Sequence, residues 1–157
     1  MRILKRLYGR MRDLLQGRRW LFLDDTRTPP EHIRKVFDTV RTHEEFTEWV
    51  EIHGIPHLVS FDHDLHPEHV SFFFERGGFR NPPDPSHEIF HNRTGYDSAK
   101  WLVQRCVESD TYPRYVIVHS ANPKGADLIY NLFTGLTESR NTETTCRKIR
   151  WGVNPKR

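Results

Sequence analysis

The sequence predicts an α/β three-layer sandwich on a mostly parallel sheet, and three observations lead there. Short apolar runs alternate with segments of helical periodicity along the chain, the order that strand–helix–strand crossovers produce. Three runs are unbroken, as strands covered on both faces are: Trp20-Leu21-Phe22-Leu23, Leu58-Val59-Ser60-Phe61 and Tyr115-Val116-Ile117-Val118. At 157 residues, with 10 Phe, 5 Tyr and 4 Trp, the chain suffices for one domain and one core without disulfides or a structural metal.

The first element is an amphipathic helix, predicted because Ile3, Leu4, Leu7, Tyr8, Met11, Leu14 and Leu15 recur at three- and four-residue steps before Gly17. Seven of the 24 lysines and arginines lie in the first 19 residues, so this 1–18 extension either packs on the 19–157 domain or docks on an anionic or protein partner. After the first strand Thr28-Pro29-Pro30 breaks the chain, and Val36 to Val40 supplies a second strand. Thr42, with Glu45 three residues on, makes a capping box for a helix whose inner side carries Phe46, Trp49, Val50 and Ile52. That helix ends near Gly54, where a left-handed cap costs little, and Pro56 stops it running on.

A third strand covers 57–61. The stretch from Leu65 to Arg93, with Gly77-Gly78, Pro82-Pro83 and Pro85, reads as a long irregular loop of the kind that is functional or mobile. Its His66, His69, His87 and His91 match no standard zinc spacing and are read as lid candidates. Thr94 caps a helix from Gly95 to about Glu108, with Ala99, Leu102, Val103 and Cys106 on the buried stripe. A fourth strand at 115–119 is followed by a helix from Asn122-Pro123 through Ala126, Ile129, Tyr130 and Phe133 to Gly135, and by a final strand from Arg147 to Val153.

Composition narrows the class of protein. Cys106 and Cys146 have no partner at metal-ligand or redox spacing, which fits a reducing cytoplasm. No run of about 18 apolar residues and no apolar leader occurs, so a soluble, cytoplasmic protein without a transmembrane segment is expected.

The chemistry-bearing residues stand at strand ends, and in an open parallel sheet the ligand crevice lies just beyond the carboxyl ends of the strands. The first run stops at Asp24-Asp25, the second at Asp62-His63-Asp64, the third at His119-Ser120-Ala121-Asn122. Adjacent carboxylates cannot both enter an apolar core, but both can meet a divalent cation, and Asp62 is the natural third ligand for a hard ion such as magnesium. His63 and His119 would then be acid–base groups beside that ion, with Asp64 to orient an imidazole and the Ser120 hydroxyl as donor. Arg27 offers a planar fork to a phosphate, and Asn122 and Lys124 stand where the next helix presents its backbone N–H groups. Each motif alone reads equally well as a helix cap, a backbone-bonded histidine or a surface ion pair; their convergence is what argues for a site.

Four segments, Leu21-Phe22-Leu23-Asp24-Asp25-Thr26-Arg27-Thr28-Pro29-Pro30, Ser60-Phe61-Asp62-His63-Asp64-Leu65, Thr94-Gly95-Tyr96-Asp97 and Val118-His119-Ser120-Ala121-Asn122-Pro123, together resemble the cyclic-phosphate processing receiver-like domain over about residues 19 to 153. The resemblance implies a variant of the response-regulator receiver fold, a flavodoxin-like five-stranded sheet in the order 2-1-3-4-5. It also implies that Asp24 and Asp25 match the receiver's metal-binding acidic pair and Asp62 its phosphorylated aspartate. The chain departs from ordinary receivers in carrying His63, Asp64 and His119 at the pocket, and in lacking a Lys-Pro after the last strand in the usual form. The resulting expectation is a magnesium-dependent phosphoesterase acting on the cyclic phosphate of an RNA end or nucleotide. Its rivals are a non-enzymatic receiver or phosphate-sensing module, and a nucleic-acid-binding accessory protein held by the basic extension.

Overall fold

The computed structural model describes residues 18–86 and 88–149, so the predicted amino-terminal helix and the end of the last predicted strand lie outside the described residues. Five strands, β1 (Trp20–Leu23), β2 (Phe37–Val40), β3 (Leu58–Phe61), β4 (Tyr115–Val118) and β5 (Thr145–Lys148), form one parallel sheet in the order β2-β1-β3-β4-β5. Four helices accompany it among the described residues: α1 (His43–His53), α2 (Pro67–Glu75), α3 (Gly95–Ser109) and α4 (Pro123–Arg140). This is the flavodoxin-like, receiver-like arrangement that the sequence predicts.

The chain crosses the sheet one way from β1 to β2 and the other way from β2 onward, so right-handed crossovers place the later helices on a common face. There Leu21, Leu23, Val59, Phe61, Val116 and Val118 meet Phe46 and Val50 of α1, Leu102 and Cys106 of α3, and Ile129 and Phe133 of α4. Burial of each large side chain in this core contributes about 1.5–3 kcal/mol. The opposite face carries Phe22, Phe37 and Leu58, with Ile33 and Val36 from around the short 3-10 turn Arg34–Val36 packed on them.

Several predicted details change. Ile52 is 67% exposed, because six residues on from Phe46 is one and two-thirds turns, which carries it off the buried stripe. The α1 cap is only half the predicted box: Thr42 Oγ1 accepts the Glu45 N–H, but Glu45 turns its carboxylate to the Arg41 N–H at 2.6 Å. The complete capping box belongs to α3, where Thr94 and Asp97 exchange bonds in both directions. Gly135 does not end α4. Phe133 and Leu136 are both buried, which offsets the roughly 1 kcal/mol cost of a mid-helix glycine, and the helix continues until Asn141 takes a left-handed conformation at φ 51°. The last strand begins at Thr145, two residues before the predicted start.

The 65–93 stretch is not irregular throughout, since Pro67 opens α2 and His66 caps it by accepting the Glu68 N–H on Nδ1. His69 is fully buried, accepting the Leu65 N–H on Nδ1 and donating from Nε2 to the Asn92 carbonyl at 2.9 Å. It is a strut that ties the start of the excursion to its return. Glu68 adds bonds to the His91 and Asn92 N–H groups. Among the predicted lid histidines, His66 is a cap, His69 a strut and His91 exposed, with His66 and His91 both near the Glu68 carboxylate, while His87 lies outside the described residues.

Candidate functional site

Strand register builds the site. Leu23 pairs with Val40 and Phe61, Phe61 with Val118, and Val118 with Lys148, so the strands end level. One further row of bonds extends this register: Asp24 N–H to Val40 O, Asp62 N–H to Leu23 O, His119 N–H to Phe61 O. Asp24, Asp62 and His119 thus become neighbours across the β1/β3/β4 edge, at the point where strand order reverses and ligands settle in such sheets. Arg41, just past β2, lies on the same row.

Asp24 is fully buried and heavily bonded. Its Oδ1 accepts the N–H groups of Thr26 at 3.0 Å and Arg27 at 2.6 Å; its Oδ2 accepts Arg27 Nε at 2.7 Å and His119 Nε2 at 3.0 Å. Burial pushes its carboxyl up, but these donors and the Arg27 charge more than reverse that, bringing it down to about 2. Asp62 accepts the His63 N–H at 2.9 Å and pairs with Arg27 Nη2 at 3.1 Å. Burial dominates there: against the pull of Arg27 and a bond from Ser120, and with the Asp24 charge adding to it, the Asp62 carboxyl rises to about 7. Asp25, half-buried, is raised too, first by burial and then by the charge of Asp24.

His119 stands behind Asp24 rather than in the crevice. Its ring stacks on Phe22 at 4.4 Å, its Nδ1 lies 2.7 Å from Ser60 Oγ and its Nε2 bonds Asp24, so the Nε2–H tautomer fits with Ser60 donating to Nδ1. Burial lowers its pKa, against the opposing hydrogen bond and charge of Asp24. His63 heads a separate group: Nδ1 bonds Asp64 Oδ1 at 2.6 Å, and Asp64 also accepts Asn122 Nδ2 at 3.3 Å. The ring is sealed by the first turn of α4, where a Cβ on Gly125 would lie 2.3 Å from His63 Cγ. Asn122 caps α4 by accepting the Gly125 N–H, and Ser120 Oγ accepts the Asn122 N–H. Lys124 is exposed and makes no hydrogen bond or ion pair with the aspartates among the described residues.

Among the described residues, Asp24, Asp25 and Asp62 form a group able to hold a metal ion, with one ligand atom from each lying within 4.8 Å of the others. All three donors are hard carboxylate oxygens, without sulfur or imidazole, a set that suits magnesium or a similar cation.

Residues 19–135 match the model of the cyclic-phosphate processing receiver domain. The chain belongs to that family. The match runs from the strand carrying Asp24 to the helix behind Asn122, and so spans the whole of this receiver domain's strand-end cluster. No curated protein and no solved structure shows significant similarity to the chain.

Four positions at the site escape a reading of the sequence. Arg41 donates from Nη1 to the carbonyls of Asp24 and Arg27; its signal was a charged residue just past a strand. Ser60 is the polar break in an otherwise apolar run. Gly95 and Gly125 are required by close approach, Gly95 because a Cβ would lie 1.7 Å from the Asp62 carbonyl oxygen, and neither need is visible before the helices are packed.

Proposed function

We propose that this receiver domain is a metal-dependent phosphoesterase for cyclic phosphates of nucleotides or RNA ends. The observation that carries the proposal is the meeting of Asp24, Asp25 and Asp62 from two adjacent strand ends with an arginine fork, Arg27, against them. Asp24, Asp25 and Asp62 would hold magnesium or another divalent cation, which supplies Lewis acidity toward a phosphoryl oxygen and lowers the pKa of bound water.

The chain's own residues do the rest. Arg27 and the Ser120 hydroxyl bind phosphate oxygens, and Asn122 sets the α4 amino terminus toward the same anion. His119, with both nitrogens engaged, orients Asp24 rather than moving a proton. His63, buried beneath Gly125 with Nδ1 committed to Asp64, likewise acts through its neighbours, holding Asp64 and through it Asn122 at the α4 amino terminus.

The cation on Asp62 is Arg27, from the turn after β1, while Lys148 at the end of β5 bonds Asp127. That supports phosphoester chemistry over a phosphorelay switch, which needs a lysine on the acyl phosphate. Cleavage of a 2′,3′-cyclic nucleotide, measured with and without magnesium, should require the cation and fall at least about 100-fold in Asp24→Ala. Unchanged turnover in that variant would remove the site from the reaction, and acyl-phosphate labelling of Asp62 without turnover would favour the sensing module.

A further inference from the structure

Arg27 grips the oxygens that a cation would need. Its Nε lies 2.7 Å from Asp24 Oδ2, its Nη2 3.1 Å from Asp62 Oδ2, and its Nη1 3.3 Å from the His119 carbonyl. Asp24 Oδ2 already accepts His119 Nε2, and Oδ1 accepts two backbone N–H groups and the Thr26 hydroxyl at 3.5 Å, so five donors surround this carboxylate. Only one of the five is a cation, and it is the one free to leave. The two backbone donors belong to the turn, His119 is fully buried and stacked on Phe22, whereas the Arg27 side chain is 34% exposed and lies on the solvent side. The turn itself is anchored by Arg41, which donates to the carbonyls of Asp24 and Arg27, so the guanidinium can swing while its backbone stays.

Resting on the cation reading above, we infer that Arg27 is an exchangeable counter-cation: entry of the divalent ion displaces its guanidinium from Asp24 and Asp62 and frees that fork to bind phosphate. Ion and guanidinium carry like charge and share two carboxylates, so they exclude each other from the Asp24–Asp62 bridge. A released fork beside a bound cation is a bidentate phosphate site that the bridged form does not offer. Cation and phosphate binding are therefore positively coupled through one side chain, and the coupling is reciprocal. Arg27 is a competitor of the ion in the bridged form and a ligand for the anion once displaced.

Manganese binding to the full chain, followed by calorimetry and by the loss of the free-ion electron spin resonance signal, tests this without any turnover. Arg27→Gln should bind manganese about tenfold more tightly than the unaltered chain, because no internal cation has to be displaced. Inorganic phosphate should tighten manganese binding by about fivefold or more in the unaltered chain and leave Arg27→Gln unchanged. Arg27→Lys keeps the charge and its balance with the aspartates but cannot span both carboxylates, so it should bind manganese with intermediate affinity and lose most of the phosphate effect. Equal manganese affinity in all three proteins, or a phosphate effect that survives in Arg27→Gln, overturns the inference while leaving the cation site intact. No manganese binding by any of them overturns the cation reading itself, and the inference with it.

Discussion

Gly95→Ala and Gly135→Ala are the same chemical change with opposite expected signs. Gly95 opens α3 against the end of β3, and a Cβ there would lie 1.7 Å from the Asp62 carbonyl oxygen, 2.8 Å from its carbon and 3.1 Å from His63 Cα. Ordinary contact begins at 3.4 Å, so the two backbones must part by about 1.7 Å. No flexible side chain can yield, and the Gly95 N–H to His63 O bond of 2.8 Å ties the two segments together. Overpacking costs about 1–3 kcal/mol, and a backbone contact as short as 1.7 Å stands at the upper end, about 2–3 kcal/mol; straining that bond or the Thr94–Asp97 capping box adds about 1 kcal/mol. Allowing about 1 kcal/mol for the better helix propensity of alanine, Gly95→Ala should lose about 2–3 kcal/mol.

Gly135 lies exposed inside α4 with nothing within 4 Å of the added carbon, so alanine there should gain about 0.5–1 kcal/mol. At about 2–4 °C per kcal/mol for a chain of this size, thermal unfolding should shift down by roughly 4–12 °C in Gly95→Ala and up by roughly 1–4 °C in Gly135→Ala. A Gly95→Ala protein melting within 2 °C of the unaltered chain would refute the packing of α3 on the Asp62 carbonyl (about half the smallest expected shift).

Two further outcomes follow from the site. The Asp62 carboxyl, raised by burial from 3.8 to about 7, keeps a proton in the folded state that the unfolded chain has already lost between those values. Its contribution is therefore fully present below pH 3.8 and lost as pH rises through 7; with chelator present, the stability of Asp62→Asn relative to the parent should grow by about 4 kcal/mol between pH 4 and pH 8, in urea titrations. A gap independent of pH would contradict a protonated, buried Asp62. His119→Phe keeps the stack on Phe22 but strips Asp24 and Ser60 of their buried partner, so it should cost about 2–3 kcal/mol and raise the Asp24 carboxyl from about 2, read by carbon NMR; an unmoved Asp24 titration would show that His119 does not hold it.

The strand-end aspartates were legible because the fold rule and the apolar runs needed only local information. Leu23, Phe61 and Val118 close their strands in the sequence as they do in the sheet, and the register then brings Asp24, Asp62 and His119 side by side. The helix in the 65–93 stretch was missed and read as irregular loop, because the glycines and prolines farther on outweighed Pro67 and the phenylalanines that follow it. Ile52 and Gly135 were misplaced for a related reason: periodicity and a lone glycine are weak where packing decides.

Direction and partnership were settled only by the tertiary structure. His63 and His119 both follow buried strands, yet the adjoining layers turn one toward Asp64 beneath Gly125 and the other behind Asp24 against Phe22 and Ser60. Arg27 likewise looks like a phosphate ligand in sequence, while in the fold it spans Asp24 and Asp62. The chain's own pattern of apolar runs determined the sheet and which residues stand at its edge, because strand burial is a local, periodic requirement. Which nitrogen meets which oxygen depends on residues up to 95 positions apart, and that is decided only when the layers close.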